Sequence, residues 1–224
     1  EFINKAQYGV QHAKLPPADY RLAFTNKASR RGTYSFCMCP GGEVVNSSSE
    51  NSMLCVNGMS YSRRDLPFSN SAIVVAVRPE DVGHGALGGI LFQREIEKKA
   101  FNAGGGKFFS PVTSASKFLT GKNKTVKKTS YITGFGEADF SKILPAFIFE
   151  ELKLALACFD KTIRGFVSEG VIIGVETRTS SPVRILRGED FQSISMKNLY
   201  PAGEGAGYAG GIVSSAVDGL KIAD

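Results

Sequence analysis

Gly203, Gly205, Gly207, Gly210 and Gly211 place five glycines in nine residues, and Glu204 is the one acid among them. Glycine lets a backbone approach a ligand closely, and the free N–H groups of a helix start attract an anionic or electron-rich group. Directly after the glycines, Ile212, Val213, Ala216, Val217 and Leu220 recur at helical spacing. Directly before them stand Leu199, Tyr200 and Pro201. This pattern predicts a short strand, a glycine turn and a helix. Such a turn serves either a ligand or close packing of the helix on its neighbour.

The string G-x-G-x-x-G occurs twice, at Gly83–Gly88 and at Gly205–Gly210. A dinucleotide fold needs its first glycine directly off a strand, and a second parallel strand ending in an acid about 20 residues later. Residues Arg78 to Val82 separate Gly83 from the preceding apolar run, and only fourteen residues follow Gly210. Neither motif is expected to open a Rossmann unit, and the first reads as a loop and helix start. Thr177, Arg178, Thr179, Ser180, Ser181 and Arg184 form a polar, doubly basic stretch. It either presents donors to an acidic substrate or makes an exposed hairpin turn. Lys117, Lys122, Lys124, Lys127 and Lys128 run without an intervening acid. That is a solvated loop, or a surface that steers an anionic substrate or a nicotinamide nucleotide. No general base stands out; Tyr61 and Tyr208 are candidate proton donors.

Four cysteines are present, Cys37, Cys39, Cys55 and Cys158, beside only two histidines, His12 and His84. The Cys37–Cys39 pair lacks a second close pair, which argues against zinc, and no metal is expected. A disulfide between them would close a strained ring. Reduced, structural cysteines are expected, with a redox-active thiol as the alternative.

The elements that position these groups fall into three stretches. Tyr20–Thr25, Thr33–Met38, Glu43–Asn46, Met53–Asn57 and Ser71–Val77 are short and rich in β-branched or aromatic residues, divided by turn material such as Pro40–Gly42. They predict an antiparallel sheet or partial barrel, with a hairpin over Asn46–Ser52. The middle turns helical. Leu87–Asn102 stops at Gly104–Gly106, a second helix starts at Ser110–Pro111 and ends at Gly121, and a third follows Pro145. In the third, Ile148, Leu152, Ala155, Leu156, Phe159 and Ile163 form one apolar stripe, expected in the core. Val171–Glu176, Val183–Leu186 and Leu199–Tyr200 return to strand. The fold class is α+β with packed helices.

Composition sets the bounds. Hydrophobic residues make up 42% and charged residues 21% of 224, with a net charge of +6. That is a globular chain able to bury a sizeable core. The longest apolar run, Ala72–Val77, falls far short of the ~20 residues of a membrane span. Basic residues are not interleaved with stacking aromatics, so nucleic acid is not an expected partner. The N-terminus, Glu1 to Lys5, carries neither an initiator Met nor a secretory pattern, which predicts a cytoplasmic segment of a longer protein.

The segment Leu199–Gly219 resembles the C-terminal signature of FAD-dependent oxidoreductases. Tyr34–Gly42 (YSFCMCPGG), Asn57–Tyr61 (NGMSY) and Gly174–Arg184 (GVETRTSSPVR) look like blocks of the uncharacterised bacterial FAD-dependent, formerly NAD-utilising, dehydrogenases. The four blocks stand in the family's order and span almost the whole chain. The resemblance implies residues 1–170 as a capping, substrate-side insertion and 171–224 as the strand–turn–helix end of an FAD-binding domain. The dinucleotide-binding half would precede the chain in the same protein. The turn and last helix would cover the flavin's pyrimidine edge, through Gly210, Gly211 and Ile212, with Gly203, Gly205 and Gly207 shaping the turn. Glu204 would hold the ribityl chain, in a place where many relatives carry Asp. Thr177, Arg178 and Arg184 would face a small-molecule substrate, and NAD(P)H would be a possible electron donor. FAD is then not expected to stay on this chain alone. A non-redox nucleotide or acidic-ligand module, and a purely structural domain, are the other classes.

Overall fold

The computed structural model describes residues 2–122 and 125–224. Lys124 of the lysine run lies outside them. In chain order the elements are α1 (Phe2–Tyr8), β1 (Ala23–Thr25), β2 (Gly32–Asn46), β3 (Val56–Met59), β4 (Phe68–Val75), α2 (Gly88–Ala103), β5 (Ser110–Ser114), α3 (Ala115–Thr120), β6 (Phe135–Glu137), α4 (Ala146–Thr162), α5 (Phe166–Glu169), β7 (Val171–Ile173) and α6 (Ile212–Ala223). They form two compact units. One comprises Glu1–Ala76 and Glu95–Glu176, the other Val77–Arg94 and Thr177–Asp224. The class is α+β, and the sheets are open rather than closed into a barrel. Among the described residues no helix is long and apolar enough to cross a membrane.

The first unit is organised by β2. Its start pairs antiparallel with β1 on one side (Phe24 opposite Thr33) and with β4 on the other (Thr33 opposite Val75); its end pairs with β3 (Val45 opposite Asn57). The sequence pattern divides this stretch into two strands at Pro40–Gly42, but the strand runs through. Two register shifts, between Phe36 and Cys39 and between Cys39 and Gly42, absorb the turn material as bulges. Proline's missing N–H is tolerated at a bulge. Gly41 takes a φ of +50°, and a Cβ there would collide with the Arg64 carbonyl. Cys37 also sits in the left-handed region, with a φ of +46°. The bulge thus breaks the strand alternation that would put Cys37 and Cys39 on one face.

No disulfide links any of the four cysteines; Cys55 is buried and Cys37 exposed. Cys39 Sγ donates to the Cys37 carbonyl at 3.3 Å, and burial raises its thiol pKa. Thiol titration after denaturation without reductant should therefore recover all four thiols. Recovery of only two would overturn this.

The second sheet has β5 at its centre, parallel to β6 and antiparallel to β7. Every residue of β5 is buried. Ser110–Pro111 accordingly does not start a helix. Val112 and Thr113 suit a strand, and ladder bonds on both sides of β5 prevail over the local capping signal. The helix begins five residues later, where Ser114 Oγ accepts from the Lys117 N–H at 3.1 Å. It ends as expected at Gly121, at a φ of +72°.

The apolar stripe of α4 fills the core. Ala155, Phe159 and Ile163 pack with Leu22, and Tyr20, Phe24, Ile73 and Phe166 close around them. Phe159 is 1% exposed, and burying such a side chain contributes about 1.5–3 kcal/mol. Ile148 and Leu152 are only half-buried. Glu151, on the same helix, is buried instead, its Oε1 accepting from Asn26 Nδ2 at 2.9 Å and Ser29 Oγ at 2.5 Å. A charged residue beside the stripe gave no hint of this burial.

Candidate functional site

The glycine turn lies in the second unit. The helix after it forms as its spacing requires, over Ile212–Ala223. The strands expected before it do not. Among the described residues, Val183–Leu186 and Leu199–Tyr200 have no ladder partner; Ile185 N–H donates to the Ala206 carbonyl, and the Leu199 carbonyl accepts from Ser193 N–H. Isolated bonds of this kind fold the segment into turns. β-branched composition alone does not make a strand where the pairing edge is not supplied.

Local bonds fix the turn itself. Tyr208 N–H donates to the Gly203 carbonyl at 3.0 Å, and Gly207 N–H to the Glu204 carbonyl at 2.9 Å. Glu204 Oε2 accepts from the Gly211 N–H at 2.9 Å, closing the turn onto the first residue of the α6 cap. Its Oε1 accepts no hydrogen bond among the described residues. Gly207 has a φ of +84°, and a Cβ there would run into the Val183 carbonyl and Arg184. Gly205 and Gly210 differ: neither has a positive φ, and a Cβ on either would meet open space. Among the described residues nothing demands glycine at those two positions. Their bare backbone is left open to approach from outside.

The helix start is equally open. Gly211 offers α6 no side-chain cap, and Ile212 and Val213 are 90% and 75% exposed. Uncapped N–H groups at this end of a 12-residue helix favour an electron-rich group. Farther along, Val217 and Leu220 are exposed too.

A part-buried, bidentate ion pair holds this assembly. Arg187 grips Asp218 of α6 with both nitrogens, at 2.9 Å (NH1 to Oδ2) and 2.7 Å (NH2 to Oδ1). NH1 also donates to the Pro201 carbonyl at 2.7 Å, and Asp218 Oδ2 accepts from the Gly203 N–H at 2.8 Å. The guanidinium lies 3.7 Å from the Tyr208 ring centroid. Arg187 and then the Gly203 N–H hold the Asp218 carboxyl down at about 2, against an ordinary 3.8; the Arg187 pKa is raised in turn. Sequence reasoning missed this pair. Residues 31 apart with no shared motif carry no pairing signal, and Asp218 reads simply as the polar side of a helix.

The other sequence-selected residues divide between the units. Arg184 joins the turn: Nε and NH2 both donate to the Gly207 carbonyl, at 3.1 and 2.9 Å, and the guanidinium lies 4.9 Å from the Tyr208 ring. Tyr208 Oη accepts from the Arg187 N–H. Thr177 is tied to α2, its carbonyl accepting from Gln93 Nε2 at 2.7 Å, and Arg178 beside it is half-buried. Tyr61 belongs to the first unit, where Oη donates to Glu43 Oε1 at 2.8 Å. Gly83–Gly88 runs as loop into the start of α2, after a single 3₁₀ turn at Pro79–Asp81. Chemically, the second unit offers an open glycine backbone, one acid within it and an uncapped helix start.

Comparison with known proteins adds two findings. The model of the family described as FAD-dependent protein, C-terminal domain-like, matches residues 1–179. An uncharacterised protein of Clostridium beijerinckii (strain ATCC 51743 / NCIMB 8052) is 47% identical over 231 aligned residues, which cover all of this chain and 43% of that protein. The chain thus spans under half the length of that relative. The glycine turn and α6 lie beyond the family match but within this alignment.

Proposed function

The chain belongs to the FAD-dependent protein C-terminal domain-like family, and on that premise we propose that it caps and completes the flavin site of an oxidoreductase. The reaction is a dehydrogenation of a small molecule by hydride transfer. Residues 1–170 are the substrate-side cap and 171–224 the end of the FAD-binding domain, with a dinucleotide-binding half elsewhere in the same protein. NAD(P)H as electron donor rests on the family resemblance alone.

One observation carries this reading. Gly205 and Gly210 keep an open backbone, beside an uncapped helix start, where the chain's own packing gives no reason for glycine. Such a surface fits a flat, electron-rich ring edge. FAD, when bound, supplies a hydride acceptor and donor. The chain's share is to position and polarise. Gly210 and Ile212 present N–H groups to the pyrimidine edge, with Gly211, its own N–H held by Glu204, as bare backbone between them; this favours the negative charge of the reduced ring. Glu204 keeps one carboxylate oxygen on Gly211 and turns the other to the ribityl chain. Arg184 stiffens the turn through Gly207, while Thr177 and Arg178 face the substrate.

Glu204→Ala tests the assignment. A charge-assisted hydrogen bond to a carboxylate is worth roughly 1.5–3 kcal/mol. In the full-length protein the substitution should weaken FAD affinity by about tenfold or more, with a smaller loss in Glu204→Gln, which keeps an acceptor. Flavin titration of apoprotein reads the effect. Unchanged affinity in Glu204→Ala would leave Glu204 as a turn residue only and remove the flavin from this turn.

A further inference from the structure

The first unit contains a cavity of about 580 Å³ at the C-terminal ends of the parallel strands β5 and β6. Its size is that of a small-molecule site, and ligands of α/β sheets commonly bind outside the carboxyl ends of parallel strands. Phe118 of α3 and Phe149 of α4 line one wall, with ring centroids 4.7 Å apart. Four charged groups stand around it: Lys117, Lys153, Glu137 and Asp139.

The hydrogen bonds of these four groups are unequally spent. Glu137 Oε2 accepts from Lys117 Nζ at 3.0 Å, and Oε1 from the Val126 N–H at 2.9 Å. Asp139 Oδ1 accepts from both the N–H and the Oγ of Ser141, at 3.0 and 2.7 Å. These bonds keep both carboxyls below the usual range, hence ionised and engaged. The ammonium groups are the reverse. Each carries three donors. Lys117 spends one of them on Glu137. Lys153 forms a long ion pair with the exposed Glu150 at 3.6 Å, which leaves its N–H donors outside hydrogen-bond range of that carboxylate, and lies 5.5 Å from the Phe149 ring centroid. The surplus in this cavity is of cationic donors beside an aromatic wall.

We propose that the cavity binds a small organic monoanion with a flat apolar body, its ring against Phe149 and its acid group on Lys117 and Lys153. Glu137 and Asp139 in the lining select against more highly charged anions. The lysine run that starts at Lys117 then has a purpose, since Lys122, Lys127 and Lys128 raise the local concentration of anions near the site. This site lies within the first unit and is independent of the flavin assignment.

Calorimetric titration of the full-length protein with benzoate tests it, with benzamide as neutral isostere and inorganic phosphate as an anion without a ring. The flavin absorbance is followed in the same samples. Benzoate should bind, and benzamide and phosphate should bind at least about tenfold more weakly. Lys153→Met, which keeps the apolar stem at a half-buried position, should weaken benzoate at least about fivefold, and Lys117→Met should do likewise. No heat with benzoate up to about 10 mM would overturn the proposal. So would equal binding of benzamide. Benzoate binding that is untouched by Lys153→Met and shifts the flavin spectrum would place the anion elsewhere, and would overturn it too.

Discussion

The purified 224-residue chain is expected to be colourless after gel filtration, while the full-length protein carries flavin. The pyrophosphate clamp, rather than the ring edge, decides whether FAD is retained. An FAD-binding fold grips the pyrophosphate with a glycine loop directly off a strand, at a helix N-terminus, and holds the ribose with an acid at the end of a second parallel strand. Here Gly83 follows a 3₁₀ turn, and Gly205 follows a turn-folded segment. The parallel pair, β5 and β6, is built from residues remote from both glycine motifs. On the proposed reading, the chain offers one open edge for the isoalloxazine ring, and a single ring edge leaves most of the cofactor's binding free energy unrealised. Absorbance between 350 and 500 nm is the readout (about the usual flavin range). Stoichiometric flavin on the 224-residue chain would overturn the assignment of the clamp to the rest of the protein.

Arg187→Met should loosen the glycine turn more than any change within the turn itself. Arg187 joins Asp218, the Pro201 carbonyl and the Tyr208 ring, and Asp218 in turn fixes the Gly203 N–H. Methionine keeps the apolar stem but leaves a part-buried carboxylate without its cation, the costly half of breaking such a pair. Cleavage by a nonspecific protease between residues 199 and 211 should accelerate by at least about tenfold, and FAD affinity of the full-length protein should fall further than in Glu204→Ala. Acid provides a second readout. The Asp218 pKa is depressed from 3.8 to about 2 in the folded chain, so its contribution is fully present above the ordinary value and fades as pH drops towards 2. Asp218→Asn should therefore differ from the parent at pH 6 and converge with it near pH 2 (about the folded midpoint). A turn as protease-resistant in Arg187→Met as in the parent would show that the pair is dispensable.

How far the sequence foretold this depends on the range of the interaction. The later part of the α4 stripe, the Gly121 stop and α6 itself follow from residues within a few turns of one another, and they fold as read, while Ile148 and Leu152 at the start of the stripe stay half-buried. Ser110–Pro111 failed because its capping signal is local while β5 is made by two strands distant in sequence. Pro40–Gly42 looked like a turn, yet the neighbours of β2 could accommodate bulges. In the site, the glycines and Glu204 were visible as types at a spacing. The second job of Arg184, bracing Gly207, and the whole Arg187–Asp218 clamp were not visible. Each depends on side chains meeting across a loop whose path no periodicity records. The cavity beside Phe149 escaped for the same reason, since its walls come from α3, β6 and α4.

The division of the chain into units has a temporal side. The second unit is assembled from Val77–Arg94 and Thr177–Asp224, with the Glu95–Glu176 part of the first unit encoded between them. During synthesis at about 5–20 residues per second, roughly eighty residues must emerge after Arg94 before its companions begin to appear, an interval of about 4–16 s. Throughout that time the start of α2, with Leu87 and Leu91 on its surface, has no unit to join. The first unit, by contrast, can close as soon as Glu176 clears the ribosome. The newborn protein thus passes through a state in which the first unit can be complete while residues 77–94 still wait for their companions.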